Sequence, residues 1–151
     1  MNGKTRETGA VSSMKDIKQA ISVARKVMER TYHSMIVGRD ATNFALRVGF
    51  NKTNLRTERS DEIWRNWVRN GRKPNFWKNS NSNKYIGHDT IGQVAIDSFN
   101  DIACGTSTNG ASFKIPGRVG DSSLVGSGAY CENGIGGAAA TGDGDVKSTF
   151  F

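Results

Sequence analysis

Three glycine-rich segments in the second half of this sequence hold the residue types best suited to chemistry. They are residues 106–110, 117–121 and 141–145, in which threonine, serine, asparagine, arginine and aspartate are interspersed with glycine. Glycine lets backbone N–H groups approach a ligand closely and adopts positive φ angles without strain. The three segments can therefore converge on one small polar ligand, although ordinary turns between short strands have the same composition.

Several common kinds of site are excluded by the spacing of the polar residues. No segment matches a phosphate-binding loop, and the dinucleotide-binding pattern lacks its strand–helix–strand frame. Asp143 and Asp145 lack the remaining ligands of a calcium loop. Cys104 and Cys131 have no ligand pair at metal spacing, so we expect buried free thiols. The sequence therefore predicts neither a metal site nor a cofactor.

Composition and charge restrict the class of protein. The 151 residues are 36% hydrophobic and 23% charged, which suits one ordinary folded domain. No run approaches the about 18 apolar residues of a membrane span, and residues 1–30 contain no secretory signal. We therefore expect no membrane partner. The charge is uneven, because residues 1–89 carry 18 Lys and Arg against 8 Asp and Glu, whereas residues 90–151 carry 3 against 6.

The most basic part of the first half mixes cations with aromatic rings between Trp64 and Lys78. Such a mixture can bind nucleic acid, because bases stack on aromatic rings while cations follow phosphates. The favoured interpretation is instead a helix with a solvated basic face. Its buried stripe would consist of Ile63, Trp64, Trp67 and Val68. We accordingly expect no nucleic-acid partner.

Hydrophobic spacing predicts a largely helical first half. The first predicted helix runs from a capping box at Ser13 and Asp16 to about Arg30. A short strand is predicted over residues 34–37. Residues 1–12 are expected to be irregular. Two further helices are predicted, one from Asp40 to Gly49 and one from Ser60 to Gly71.

The second half has the pattern of strands. Residues 91–97 and 102–106 are rich in β-forming residues, and their four-residue connection predicts a hairpin. Beyond them lie most of the glycines, 11 of 18 between Gly105 and Gly144. The polar segment 79–87 marks the change in composition between the two halves.

Four segments in register resemble the glycosylasparaginase (aspartylglucosaminidase) family. Residues 88–92, His-Asp-Thr-Ile-Gly, are similar to the junction at which these enzymes cut themselves into α and β subunits. Residues 105–110, 114–122 and 138–145 follow in the family's order and spacing. One such fragment would be weak, whereas four in register make a strong match. A looser similarity extends over nearly the whole chain.

The resemblance implies an α+β chain that forms part of the four-layer αββα sandwich of N-terminal-nucleophile hydrolases. Residues 1–89 would be the mostly helical end of the α subunit, including the polar linker 79–87. Residues 90–151 would be the start of the β subunit, with the glycine-rich strands and loops that carry the site. Because family members begin before Met1 and continue beyond Asp145, we expect these 151 residues alone neither to fold stably nor to cleave themselves.

The resemblance also implies the chemistry of the junction. Thr90 would attack the Asp89 carbonyl, giving an ester that water opens, with His88 and Asp89 shaping the junction. A threonine at a free N-terminus carries its own base, an α-amino group whose ordinary pKa is about 7.7–8.0. Thr90 would then attack the side-chain amide of a substrate asparagine. Taken alone, Thr90 is an unremarkable residue at the start of a strand.

Further roles are carried over residue by residue. Arg118 resembles the clamp for the substrate's α-carboxylate, and Asp121 resembles the partner of its α-ammonium group. Thr141 and Gly142 resemble the oxyanion hole, and Thr108 resembles a hydroxyl that assists the nucleophile. The implied substrate-binding set is Arg118, Val119, Gly120, Asp121, Thr141 and Gly142. Alternatively, Arg118 and Asp121 pair with each other, and the two threonines are ordinary strand residues.

By resemblance, the chain is an amidohydrolase that cleaves the bond between N-acetylglucosamine and asparagine. It would need no cofactor and would form an αβ heterodimer or (αβ)2 assembly. A full-length secreted form would be lysosomal. One alternative is an L-asparaginase or isoaspartyl peptidase of the same superfamily. Another is a catalytically inactive remnant.

Overall fold

The computed structural model describes residues 1–72 and 89–142, which combine helices and strands. The elements are β1 (Ala10–Ser12), α1 (Ala20–Arg30), β2 (Met35–Val37), α2 (Gly38–Arg47), α3 (Glu58–Arg69), β3 (Thr90–Ile96), β4 (Ile102–Thr108), a short 3-10 helix (Asp121–Ser123), β5 (Ala129–Glu132) and β6 (Gly136–Ala139). The expected mixture of helix and sheet is confirmed. The predicted linker 79–87, His88, Asp143 and Asp145 lie outside the described residues.

None of the helices in the described residues is both long and apolar enough to cross a membrane.

Helix α1 packs on the parallel pair β1–β2, in which Ala10 lies opposite Met35. Its buried face consists of Val23, Ala24 and Val27, at the spacing of an amphipathic helix. Gly9 allows the close approach, because a β-carbon there would lie 2.2 Å from the carbonyl oxygen of Ala24. The chain at Gly9, just before β1, therefore lies directly against the backbone of α1.

Residues 10–12 correct the expectation that residues 1–12 are irregular, since they form β1. Even at the start of the chain, Asn2 makes an isolated antiparallel bridge to Ala103 of β4. A three-residue strand is too short to show an alternating pattern, so its partner in the sheet decides its conformation.

The predicted start of the first helix was wrong. Ser13 and Asp16 have φ angles of 55° and 62°, which are left-handed rather than helical, and α1 begins only at Ala20. A tertiary contact holds this segment, because the Lys15 N–H donates to Thr42 Oγ1 at 3.1 Å. The segment is therefore fixed by the neighbouring helix α2 and not by a capping box.

The other two helices confirm their predictions with small shifts at the start. Helix α2 begins at Gly38, so that Asp40 lies in its first turn, and Gly49 follows it with a φ of 98°. Helix α3 begins two residues earlier than expected, behind a capping box between Thr57 and Ser60.

The buried stripe predicted for α3 was wrong, because no residue of this helix is fully buried. Trp64 is 47% exposed. Trp67 instead stacks on Phe113, with ring centroids 4.7 Å apart and planes inclined by 11°. Helix α3 therefore lies at the surface and contacts the glycine-rich half through an aromatic pair.

The predicted hairpin is confirmed as the antiparallel pair β3–β4, in a register that joins Thr90 to Thr108 and Ile96 to Ile102. Its turn is closed by Asp97, whose carboxylate accepts hydrogen bonds from the N–H groups of residues 99 and 101. The second hairpin, β5–β6, packs against the first.

Cys104 and Cys131 are buried free thiols, as predicted. Both lie by the first residue of the chain, because the Met1 carbonyl accepts from the Cys104 N–H at 3.1 Å and lies 3.7 Å from Cys131 Sγ. Burial, together with the neighbouring Cys131 thiol, raises the pKa of Cys104 to about 12. Cys104 is therefore a protonated packing residue at neutral pH.

Candidate functional site

The Thr90 and Thr108 hydroxyls form the centre of the candidate site. Thr90 opens β3, Thr108 ends β4, and the two are direct cross-strand partners. Opposed residues of an antiparallel pair share one face of the sheet. Their Oγ1 atoms are 3.0 Å apart. The predicted nucleophile therefore has the predicted assisting hydroxyl within hydrogen-bond distance.

Thr108 also contacts the peptide bond that precedes Thr90. Its Oγ1 donates to the Asp89 carbonyl oxygen at 3.1 Å and accepts from the Gly110 N–H at 3.0 Å. A hydroxyl has one hydrogen to donate and two lone pairs. All three contacts of Thr108 are satisfied when Thr90 donates its hydrogen to Thr108. The Asp89 carbonyl and the Thr90 hydroxyl are thus joined through one side chain.

Arg118 lies beside the loop that follows Thr108, where two glycines provide space for it. A β-carbon at Gly120 would lie 2.7 Å from its Nη1 atom, and one at Gly110 would lie 3.5 Å from the same atom. Gly117, immediately before Arg118, has a φ of 94°, which favours glycine. The glycine pattern therefore places the guanidinium next to residues 108–110.

Lys114 also belongs to this region, although no role was predicted for it from the sequence. Its ammonium donates to the carbonyl oxygens of Asn109 and Ala111, at 3.0 and 3.3 Å. Burial, and to a smaller degree the charge of Arg118, lowers the pKa of Lys114. The sequence contains one indication that Lys114 is unusual, because it is one of only three basic residues among residues 90–151.

Asp121 is buried, with 5% of its surface exposed, at the start of the 3-10 helix. The helix is held to β4 by a hydrogen bond from the Thr106 hydroxyl to the Ser122 carbonyl. Val119 and Gly120 lie between Arg118 and Asp121 and are half-buried. A buried carboxylate and a guanidinium therefore follow one another closely along the same loop.

Thr141 and Gly142 are exposed residues just beyond β6. Strand β6 lies antiparallel across β3, because Gly92 approaches Ala139 and Val94 approaches Gly137. The end of β6 therefore lies over the first half of β3. The roles predicted for Arg118, Asp121, Thr141 and Gly142 stay predictions.

A cavity of about 460 Å³ opens beside this end of the hairpin. Thr108, Lys114 and Arg118 line one side, and residues of the first half, among them Ile17 and Ile21, line the other. Thr90 and Thr141 are not part of its lining. Across residues 1–72 and 89–142, the His, Cys, Asp and Glu side chains form no group of three or more that could hold a metal ion.

Similarity to known proteins points to one family. A family profile described as Asparaginase matches residues 1–149. A rat protein named N(4)-(beta-N-acetylglucosaminyl)-L-asparaginase is 42% identical over 175 residues, and its mouse counterpart is 42% identical over 176. A Drosophila sechellia protein, provisionally given the same name, is 45% identical over 180 residues. Each match covers all of this chain, but only 51% of the rat protein, 51% of the mouse protein and 46% of the Drosophila sechellia protein. The chain therefore spans about half the length of these relatives.

Proposed function

Because the chain belongs to the asparaginase family, we propose that it acts as a glycosylasparaginase, hydrolysing the bond between N-acetylglucosamine and asparagine. The resemblance recognised from the sequence is confirmed by the family match and by the names of the rat and mouse relatives. The observation that carries the proposal is the hydrogen-bonded pair of Thr90 and Thr108 directly after Asp89. The proposed architecture is the four-layer αββα sandwich, of which the described helices and strands would be a part.

The first step of the proposed chemistry is self-cleavage. The Thr90 oxygen attacks the carbonyl carbon of Asp89, the bond from that carbon to the Thr90 nitrogen breaks, the nitrogen takes up the proton that the hydroxyl loses, and an ester forms. Thr108 supports this step, since its hydroxyl donates to the carbonyl oxygen under attack and can accept a hydrogen bond from the Thr90 hydroxyl, which orients it. Water then hydrolyses the ester, which releases the Asp89 carboxylate and leaves Thr90 with a free α-amino group.

The second step uses that amino group as the base. With an ordinary pKa of about 7.7–8.0, it can take the proton from the Thr90 hydroxyl near neutral pH. The oxygen attacks the side-chain amide carbon of the substrate, the glycosylamine leaves with a proton, and water hydrolyses the resulting β-aspartyl ester. Thr141 and Gly142, which follow the end of β6, are proposed to donate to the developing oxyanion.

Substrate recognition is assigned to the loop of residues 118–121. Arg118 pairs with the α-carboxylate, because a planar guanidinium makes two parallel hydrogen bonds to a carboxylate. Asp121 pairs with the α-ammonium group, and Val119 and Gly120 shape the intervening wall. The arrangement suits a free asparagine with both charged ends exposed. The proposed assembly is an αβ heterodimer or (αβ)2, and a full-length secreted form is proposed to act in the lysosome.

An L-asparaginase or isoaspartyl peptidase would use the same nucleophile, so substrate identity must be measured. The complete protein, expressed from its natural coding sequence, is purified and given N-acetylglucosaminyl-asparagine, asparagine and a β-aspartyl dipeptide in separate assays. We expect the highest kcat/KM for the glycosylated substrate. A preference for either of the other two would replace the proposed specificity. Hydrolysis of none of them, with no cleavage before Thr90, would refute the proposal.

A further inference from the structure

Lys114 makes a contact that none of the roles described so far explains. Its ammonium bridges two carbonyl oxygens of the turn that follows Thr108, those of Asn109 and Ala111. Hydrogen bonds with a charged donor are stronger than neutral ones, and two from one ammonium fix the relative positions of both peptide groups. The Lys114 side chain therefore links two peptide groups of the turn of residues 109–111, and we call these two hydrogen bonds the Lys114 brace.

The residue between the two braced carbonyls is the one that contacts Thr108. Gly110 has a φ of 72°, and its N–H donates to Thr108 Oγ1 at 3.0 Å. That bond occupies one lone pair of Thr108. The remaining lone pair can accept from Thr90, and the Thr108 hydrogen points to the Asp89 carbonyl. The orientation of the Thr108 hydroxyl thus depends on the shape of the turn.

We propose that Lys114 is a positioning residue, whose ammonium holds the 109–111 turn so that Gly110 orients the Thr108 hydroxyl towards Thr90. Its link to catalysis rests on the proposed function, whereas the brace itself does not. Lys114 is not expected to touch the substrate.

Arg118 lies next to the same turn. A β-carbon at Gly110 would lie 3.3 Å from Lys114 Nζ and 3.5 Å from Arg118 Nη1, so the two cations flank one glycine. The charge of Arg118 repels the Lys114 ammonium, and the two carbonyl dipoles offset part of that repulsion. The lowered pKa of Lys114 agrees with a half-buried ammonium beside a guanidinium. The braced turn therefore lies between the assisting hydroxyl and the proposed carboxylate clamp.

The first test measures the brace without any substrate. Backbone amide hydrogen exchange is followed by mass spectrometry in peptides that contain Gly110, in the complete protein and in its Lys114→Met variant. We expect exchange at Gly110 to become about tenfold faster or more, because the turn no longer holds the Gly110 N–H against its acceptor, Thr108 Oγ1. Lys18→Met, which changes an exposed lysine before α1, is the matched control and should leave this peptide unchanged. Unchanged exchange in Lys114→Met would overturn the proposal.

The second test separates positioning from substrate binding. With N-acetylglucosaminyl-asparagine, Lys114→Met should lower kcat on the order of 10- to 100-fold, since small misplacements of catalytic groups have effects of that size, and change KM less than about threefold. A rise in KM with an unchanged kcat would mean that the ammonium binds substrate, and would overturn the assignment. If the complete protein hydrolyses none of the proposed substrates, the exchange result still decides the brace, so the two failures are distinguishable.

A chemical rescue covers the case in which the methionine variant loosens the whole fold, which faster exchange in α1 would reveal. Lys114→Cys is treated with 2-bromoethylamine, which alkylates the new thiol and restores an ammonium at nearly the same length. Protein without the substitution, treated identically, controls for the buried Cys104 and Cys131. Recovery of both Gly110 protection and kcat supports the proposal, and continued loss of both contradicts it.

Discussion

The two halves of the molecule are stabilised in different ways. In residues 1–72 the buried side chains are mostly apolar and most lie on helices, as with Val23, Val27 and Ala45. In residues 89–142 the buried side chains are Cys104, Ala111, Asp121 and Cys131, which are small or polar. The first half therefore obtains its shape from side-chain packing, and the second half obtains it mainly from backbone conformation and hydrogen bonds.

This difference predicts how substitutions will act. Truncating a side chain in the first half should lower the free energy of unfolding, with little effect on the kcat/KM of the folded molecules. Truncating a side chain in the second half should lower activity, with little effect on the free energy of unfolding. The four predictions that follow test this contrast, in order of decreasing effect.

The largest effect is expected for Thr90→Ala, which removes the proposed nucleophile. Self-cleavage should be abolished, and turnover should fall by a factor on the order of 10⁶, the size seen when an attacking hydroxyl is lost. Because Thr90 is only half-buried, the melting temperature should stay nearly constant. Denaturing electrophoresis and N-terminal sequencing are the measurements, and the cleaved fragment of unaltered protein should begin Thr-Ile-Gly-Gln.

Two comparisons control the Thr90 experiment. Thr90→Ser keeps a hydroxyl and should retain part of the cleavage. Ser22→Ala removes an exposed hydroxyl from α1 in the first half and should leave cleavage intact. A fragment beginning at residue 90 in the alanine variant would show that Thr90 is not required.

Arg118→Ala should have the next largest effect. Loss of a charge-assisted pair with the substrate carboxylate should lower kcat/KM by the equivalent of about 2–4 kcal/mol. Arg65→Ala, which removes an exposed guanidinium from α3, is the control and should leave kcat/KM unchanged. The assignment also requires that a substrate with a blocked α-carboxylate be poor for the unaltered protein. Equal turnover of blocked and free substrates would remove Arg118 from that role.

Several elements could be predicted from the sequence because their determinants are local. Helices α2 and α3 end where a glycine with positive φ follows. The β3–β4 hairpin follows from two β-rich runs and a short connection, but the connection has five residues, 97–101, and not the expected four. Because a four-residue connection would place Thr90 opposite Asn109, the hairpin could be predicted from the sequence, whereas the register that pairs Thr90 with Thr108 could not.

Other features depend on contacts between distant segments. Residues 13–16 match a capping box, but the bond from Lys15 to Thr42 keeps them out of the helix. The partners of Lys114 are main-chain carbonyls, which leave no trace in the sequence. The periodicity of α3 indicates which face is apolar, but not that Trp67 packs against a ring in the other half.

Val27→Ala tests the first half. Val23 and Val27 are fully buried, and truncating such a residue leaves a cavity as well as removing apolar contacts. The free energy of unfolding should fall by about 2 kcal/mol, while kcat/KM of the folded fraction stays the same. Val37→Ala is a matched control, because Val37 is 52% exposed and its truncation should have little effect. A loss of kcat/KM at constant stability would break the contrast between the two halves.

Trp67→Ala is the smallest and most discriminating change, because the Trp67–Phe113 stack joins the halves. Phe113 has a φ of 55° and immediately precedes Lys114. Stacked aromatic pairs contribute about 0.5–1.5 kcal/mol beyond their buried area, so we expect a modest loss of stability and a fall in kcat of about fivefold or less. A double-mutant cycle of Trp67→Ala with Phe113→Ala should show coupling both in the free energy of unfolding and in kcat. The control cycle replaces Trp67→Ala by Trp64→Ala, which alters a tryptophan that is 47% exposed, and should show coupling in neither quantity. Coupling in the free energy of unfolding alone would mean that the contact of α3 with Phe113 stabilises the fold and does not affect kcat.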